Sequence, residues 1–185
     1  MPPQPENYMN GIEDANRRRL VCMIDQIPKG IPEGWEKISF GVGGLMYIGF
    51  SNVYTEKLTV ISSQGQRVIN CRTGEKAYCI ENYDEAELTA LTGEQGDEII
   101  PIAGESGGGL RCCSKEGNRL ISAAPFWPEE QIIFMPDYVL WTDHPEKCTV
   151  IFEDYEIKAF GFSRCGNYIA VGSSGTLAVF RKKVI

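Results

Sequence analysis

From Trp35 onward the apolar residues fall in short runs separated by Gly, Ser and Asn. The runs are ISFGVGGLMYIGFS, LTVISS, RVINC and KAYCI, and later EEQIIFM, YVLWT, CTVIFED, EIKAFGFS, YIAVGSS and LAVFRK. They are rich in Val, Ile, Phe and Tyr, and the breaks come at the intervals of an antiparallel sheet, so the pattern predicts a mainly β chain. Two segments differ. Ile12, Ala15, Val21, Met23 and Ile24 recur at helical intervals behind Asn10, which can cap, with Glu13 placed to reach back. Pro28 and Pro32 close that helix at about Ile27. The second is DEAELTALTG (84–93), where Asp84 as cap, Glu87 and a closing Gly93 predict a short internal helix. Residues 1–9 are Pro-rich and read as a loose lead-in. The expected layout is a single β-rich domain over 10–185 with an inserted helix and Gly-rich loop at 84–109.

Two distant stretches match each other: GFSNVYTEKLTVISSQGQRVINC (49–71) and GFSRCGNYIAVGSSGTLAVFRK (161–182). Each runs Gly-Phe-Ser, a turn, an apolar strand ending in Ser-Ser, a tight turn, and a second strand. SKEGNRLI (114–121) is a weaker third echo of SRCGNYIA (163–170). With the Arg-Thr-Gly-Glu turn at 72–75, this unit resembles a blade of a WD40 or quinoprotein-type β-propeller. The Trp-Asp dipeptide of that family is replaced by Phe180-Arg181. The resemblance implies antiparallel blade-like sheets, with Leu58, Val60 and Ile61, or Ile169 and Val171, facing neighbouring sheets. A full propeller takes about four to eight blades of roughly 40 residues. A chain of 185 residues that also carries a helix and an insertion is therefore expected to form a partial propeller or a sandwich. The layout also resembles a small bacterial family sharing Gly-Gly-Gly-Leu (107–110), Trp-Pro-Glu-Glu (127–130) and a terminal Gly-Phe-Ser, a likeness that brings no activity with it.

Composition narrows the partners. The chain is 43% hydrophobic and 23% charged, the balance of a globular domain with a proper core. No apolar run approaches membrane-spanning length, and MPPQPENYMNG has neither the basic nor the apolar region of a secretory signal, so a cytoplasmic protein is expected. A net charge of −7 argues against nucleic acid and favours a basic protein as partner. The basic runs Arg17–Arg19 and Arg181–Lys183 read as solvated surface. Seven cysteines without a Cys-x-x-Cys pair, and a lone His144, predict reduced, mostly buried thiols rather than a metal site. No cofactor is expected.

One motif raises a catalytic question. Gly104-Glu105-Ser106-Gly107-Gly108 has the spacing of a hydrolase nucleophile elbow and resembles the Gly-Asp-Ser-Gly-Gly of chymotrypsin-type proteases, with Glu105 in the Asp place. An elbow needs a helix directly after the serine, whereas three glycines and LRCCSKEGNRL follow here. In the trypsin-like arrangement the base precedes the serine, and His144 follows it. The motif is therefore expected to be a connecting glycine loop, with a serine hydrolase using Ser106 and His144 as the alternative. Candidate binding residues are the carboxylates Glu153, Asp154 and Glu156 and the ring-bearing loop residues Trp127 and Trp141. The leading expectation is a non-enzymatic protein-binding domain, of which a bacterial immunity protein neutralising a basic toxin is one natural class. A scaffold module is a further alternative.

Overall fold

Several of these strands are apolar at every position rather than at alternate ones, which demands that both of their faces be covered. A computed structural model, describing residues 11–92 and 98–183, shows how that demand is met. Helix α1 (Gly11–Ile24) is followed by β1 (Trp35–Gly41), β2 (Leu45–Phe50), β3 (Lys57–Ser62), β4 (Gly65–Asn70) and β5 (Lys76–Tyr78). Short strands come next: β6 (Tyr83–Asp84), β7 (Thr89–Leu91), β8 (Ile99–Pro101) and β9 (Ala103–Gly104). The last six are β10 (Arg119–Phe126), β11 (Glu129–Met135), β12 (Thr149–Asp154), β13 (Ile157–Phe162), β14 (Tyr168–Ser173) and β15 (Thr176–Lys182). Residues 1–9 and the Asn10–Glu13 capping pair, read above as a loose lead-in and a helix start, lie outside the described backbone or side chains.

The strands form four open antiparallel sheets, ordered β1-β15-β14-β13, β10-β11-β12, β5-β4-β3-β2-β9 and β6-β7-β8. They stack face to face, and alternate residues of a strand serve different interfaces. On β14 and β15, Ile169, Val171, Ala178 and Phe180 pack with Ile132, Phe134 and Phe152 of the β10-β11-β12 sheet. Their neighbours Ala170, Leu177 and Val179 point the other way, onto Leu45, Ile48, Leu58 and Val60 of the five-stranded sheet. That sheet in turn places Tyr47 and Ile61 against Ala90, Ile100 and Ile102, in and beside the β6-β7-β8 sheet. On the far side Ile133 and Met135 of β11 meet Ile24 and Ile27 at the end of α1. The four-stranded and five-stranded sheets are thus covered on both faces at their centres, which is why β2, β3 and β14 lack polar alternation while the edge strands β1 and β5 keep it.

The inner four-stranded sheet is completed by the first strand of the chain, since β1 pairs with β15 from Trp35↔Lys182 to Gly41↔Thr176. Trp35 anchors this closure from the start of β1. Its ring lies edge-on to Phe134 at 5.8 Å and tilted against Phe162 at 6.5 Å.

The internal repeat is visible as repeated local chemistry. Ser51 and Ser163 are both buried, and their hydroxyls accept from Tyr54 N at 2.8 Å and Tyr168 N at 3.2 Å. Ser114, in the weaker echo, accepts from Asn118 N at 3.2 Å. The later serines match as well: Ser62 Oγ donates to Gly65 O at 3.3 Å and Ser173 Oγ to Thr176 O at 3.4 Å, each across a hairpin turn. Leu58 and Val60 face one neighbouring sheet and Ile61 the other, while Ile169 and Val171 share one interface.

The expected helix is not formed over 84–92, and Gly93, its expected close, lies outside the described residues. Tyr83–Asp84 and Thr89–Leu91 make a hairpin, and the second helical element is a 3-10 turn at Pro145–Lys147. Asp84 Oδ1 does accept two backbone N–H bonds, from Ala86 at 2.9 Å and Glu87 at 3.0 Å, but they close a turn. An aspartate serves either role. What decides is burial, because the extended form puts Ala90 into the core beside Tyr47 and Ile100 and pairs Thr89–Leu91 with β8. A lone short helix gains neither.

Glu98 secures the first repeat turn, accepting from Ser51 Oγ at 2.6 Å and from Asn52 N at 2.8 Å. Burial pushes its carboxyl up, but those hydrogen bonds outweigh it and leave the group below its ordinary value. A depressed folded value means stability that is present above the unfolded value, about 4.3 for Glu, and lost as pH falls through the folded one. Glu98→Gln should therefore cost on the order of 1 kcal/mol at pH 7. In urea melts the gap to wild type should close as pH falls below about 4.

Candidate functional site

The Gly-rich segment resolves into a tight turn. Gly104 N donates to Gly107 O at 2.8 Å and Gly107 N to Gly104 O at 3.1 Å, so Glu105 and Ser106 sit at the tip of a two-residue hairpin. No helix follows. Two of its glycines are steric requirements: a Cβ on Gly104 would lie 1.8 Å from Met46 O, and one on Gly108 would lie 2.4 Å from Ile102 O. Gly107 and Gly108 have φ of 114° and 81°, in the left-handed region.

Ser106 is exposed at that tip, and its hydroxyl meets two partners that the sequence reading did not consider. It lies 2.7 Å from the phenol of Tyr47 and 3.1 Å from Glu85 Oε1, while Tyr47 also donates to Glu85 through a very short bond. Burial first, and then the bond to Glu85, push the Tyr47 phenol above its ordinary value, so it stays protonated as a donor. The cluster ties the Gly-rich turn to the turn of the β6–β7 hairpin. His144 is elsewhere, exposed ahead of the 3-10 turn with Nδ1 3.2 Å from Glu146 Oε1. Ser106 and His144 are not brought together.

The remaining candidates separate into structural and exposed groups. Trp141 is half-buried against the α1 side of the core with Val139. Glu153 accepts from Lys29 Nζ at 2.6 Å and Gln131 Nε2 at 2.8 Å, joining the segment after α1 to β12. Glu156 holds Lys158 at 2.9 Å, and Lys158 also reaches Glu105 at 3.8 Å. That pairing is the main cause of the Glu156 carboxyl lying below its ordinary value. The three acids therefore do not form one free patch. Trp127 does stand out. It is 76% exposed in the β10–β11 turn, next to Phe126 at 53%. Because Glu130 pairs with Asp154, the β12–β13 turn carrying Tyr155, 69% exposed, comes to the same end of the sheet. Three large rings and the carboxylates of Glu129, Glu130 and Asp154 thus share one edge.

Only Cys71 and Cys148 of the seven cysteines are buried, against the expectation that most would be; Cys22, Cys112, Cys113 and Cys165 are exposed. Burial holds the Cys148 thiol up at about 11. Among the described residues no group of His, Cys, Asp and Glu could hold a metal ion.

One feature was read from the sequence as plain surface. Arg181–Lys183 lie beside Glu36, Arg72, Asn167 and Tyr168 around an open cleft of about 500 Å³. The run alone gives little hint of this, because Arg72 joins it from a turn more than a hundred residues away in the chain. The Arg-Thr-Gly-Glu turn at 72–75 was singled out in the sequence only as part of a blade-like unit.

Set against known proteins, the sequence matches no family model and no curated protein.

Proposed function

We propose that this chain is a non-catalytic protein-binding domain, with the shared edge of Phe126, Trp127 and Tyr155 as its contact surface. The carrying observation is the exposure of Trp127 beside Phe126 on a paired hairpin. Large rings held out on ordered backbone favour association at small entropic cost, and adjoining carboxylates select a basic partner. A net charge of −7 adds long-range attraction of the same sign preference. An immunity-type role against a basic toxin in the cytoplasm fits this chemistry. The stacked sheets would serve as blades of an open, propeller-like scaffold, and among the described residues no helix is long and apolar enough to cross a membrane.

Under this reading Ser106 is a turn hydroxyl, and a fluorophosphonate probe should leave the protein unlabelled. Labelling that disappears in Ser106→Ala would instead make it a nucleophile. For the surface itself, a photo-crosslinking side chain placed at Trp127 in the native cells should capture one basic protein, and the same group at exposed Tyr78 should not. With that partner in hand, Trp127→Ala should weaken binding by about thirtyfold, with the melting temperature unchanged. Identical products from both positions, or unaltered affinity, would remove this surface from consideration.

A further inference from the structure

Positive charge from two sheets is gathered at one end of the inner sheet on this acidic chain. Four cationic side chains, Arg72, Arg181, Lys182 and Lys183, line the 500 Å³ cleft together with Glu36, Asn167 and Tyr168. None of the seven lining residues is aliphatic. The volume is that of a small-molecule site, but the walls suit a polar, charged occupant.

The cleft is built by strand register. Glu36↔Arg181 on β1 and β15, and Tyr168↔Arg181 on β14 and β15, set three strands side by side at one end of the inner sheet. Arg181 is then fixed as a wall. Its Nε and Nη2 donate to Glu36 Oε2 at 2.7 and 2.6 Å, and its Nη1 donates to the carbonyl of Arg72. That last bond holds the 72–75 turn of the neighbouring sheet over the cleft. Lys182 is engaged by Glu116, and its N–H donates to Asn167 O at 2.9 Å. Lys183 is anchored through its backbone, donating to Gly34 O at 2.8 Å.

With Arg181 and Lys182 paired, the charge left over belongs to Arg72 and Lys183. Neither side chain has a carboxylate partner among the described residues. They stand on opposing elements, one on the β4–β5 turn and one just past β15. Burial above all pushes the Tyr168 phenol above its ordinary value, and Arg72 is near enough to oppose that push. A planar guanidinium and an ammonium, both on backbone that hydrogen bonds hold in place, form an arrangement that recognises phosphate oxygens. The phenol and the Asn167 amide can supply further donors.

We propose that this cleft binds a small phosphorylated molecule, with Arg72 and Lys183 on the phosphate and Arg181 holding the Arg72 turn in place. The volume admits a ligand up to about the size of a mononucleotide.

The test is calorimetric titration of the intact chain with pyrophosphate and with adenosine monophosphate at low ionic strength. Saturable one-to-one binding is expected, weakening as salt rises. Arg72→Ala and Lys183→Ala should each weaken it about tenfold or more. Both positions are exposed, so the fold should survive. Arg17→Ala, an exposed cation on α1 away from the cleft, should change nothing. Pyrophosphate binding without adenosine monophosphate binding would place a bare polyphosphate in the cleft, and both together a nucleotide-like ligand. Failure of both to saturate at millimolar concentration, or equal weakening by Arg17→Ala, would overturn the proposal. So would tight binding of an acidic peptide in the absence of any phosphate binding.

Discussion

The structure depends on one long-range pairing, that of β1 with β15. These strands come from opposite ends of the described chain, yet they match residue for residue over their whole length. The pairing gives the inner sheet its fourth strand, and it carries Trp35 across to Phe134 and Phe162 of other elements. Without it β15 would be an open edge, and a long apolar edge strand is a template for aggregation. Closing so distant a contact costs loop entropy early in folding. The return is a sheet with two buried faces, onto which the flanking sheets and, beyond one of them, α1 are layered.

The two proposed surfaces inherit their geometry from that stack. The aromatic edge sits where the β10–β11 and β12–β13 turns emerge together, fixed by Glu130↔Asp154. The cationic cleft sits where β1, β14 and β15 end side by side, fixed by Glu36↔Arg181 and Tyr168↔Arg181. One surface is apolar and acidic, the other polar and basic, so they select chemically different occupants. An acidic chain can hold an anion only where it concentrates its cations, and here it does so with residues from two sheets. The Ser106 turn contributes to neither surface. It is tied down by Tyr47 and Glu85, and Gly104 and Gly108 are dictated by backbone carbonyls within contact distance.

Local rules carried the sequence reading a long way. Runs such as YIAVGSS and LTVISS announced strands, and the Gly-Phe-Ser and Ser-Ser positions turned out to do the same hydrogen-bonding work in both copies. The helix at 84–93 failed because Asp84 caps a turn as readily as a helix, and the burial of Ala90 is a tertiary fact that no local pattern reveals. The partners of the acidic trio were hidden from the sequence for a related reason. Glu153 and Glu156 are engaged by Lys29, Gln131 and Lys158, two of which come from other elements. Trp127 stands exposed in its proline-flanked loop, whereas Trp141, in a similar setting, is half-buried against the core. The cleft was illegible because its cations are contiguous only in space.

Native-state hydrogen exchange, read amide by amide across all the strands, tests the role of the β1–β15 closure most directly. If the inner sheet holds the stack together, the amides of β14 and β15 exchange only through global unfolding and are the slowest in the protein, with the paired amides of β1 close behind. The short β6-β7-β8 sheet opens first. Exchange of β1 and β15 through an opening that leaves the five-stranded sheet fully protected would contradict the account, since the layers would then be stable without the strand that joins them.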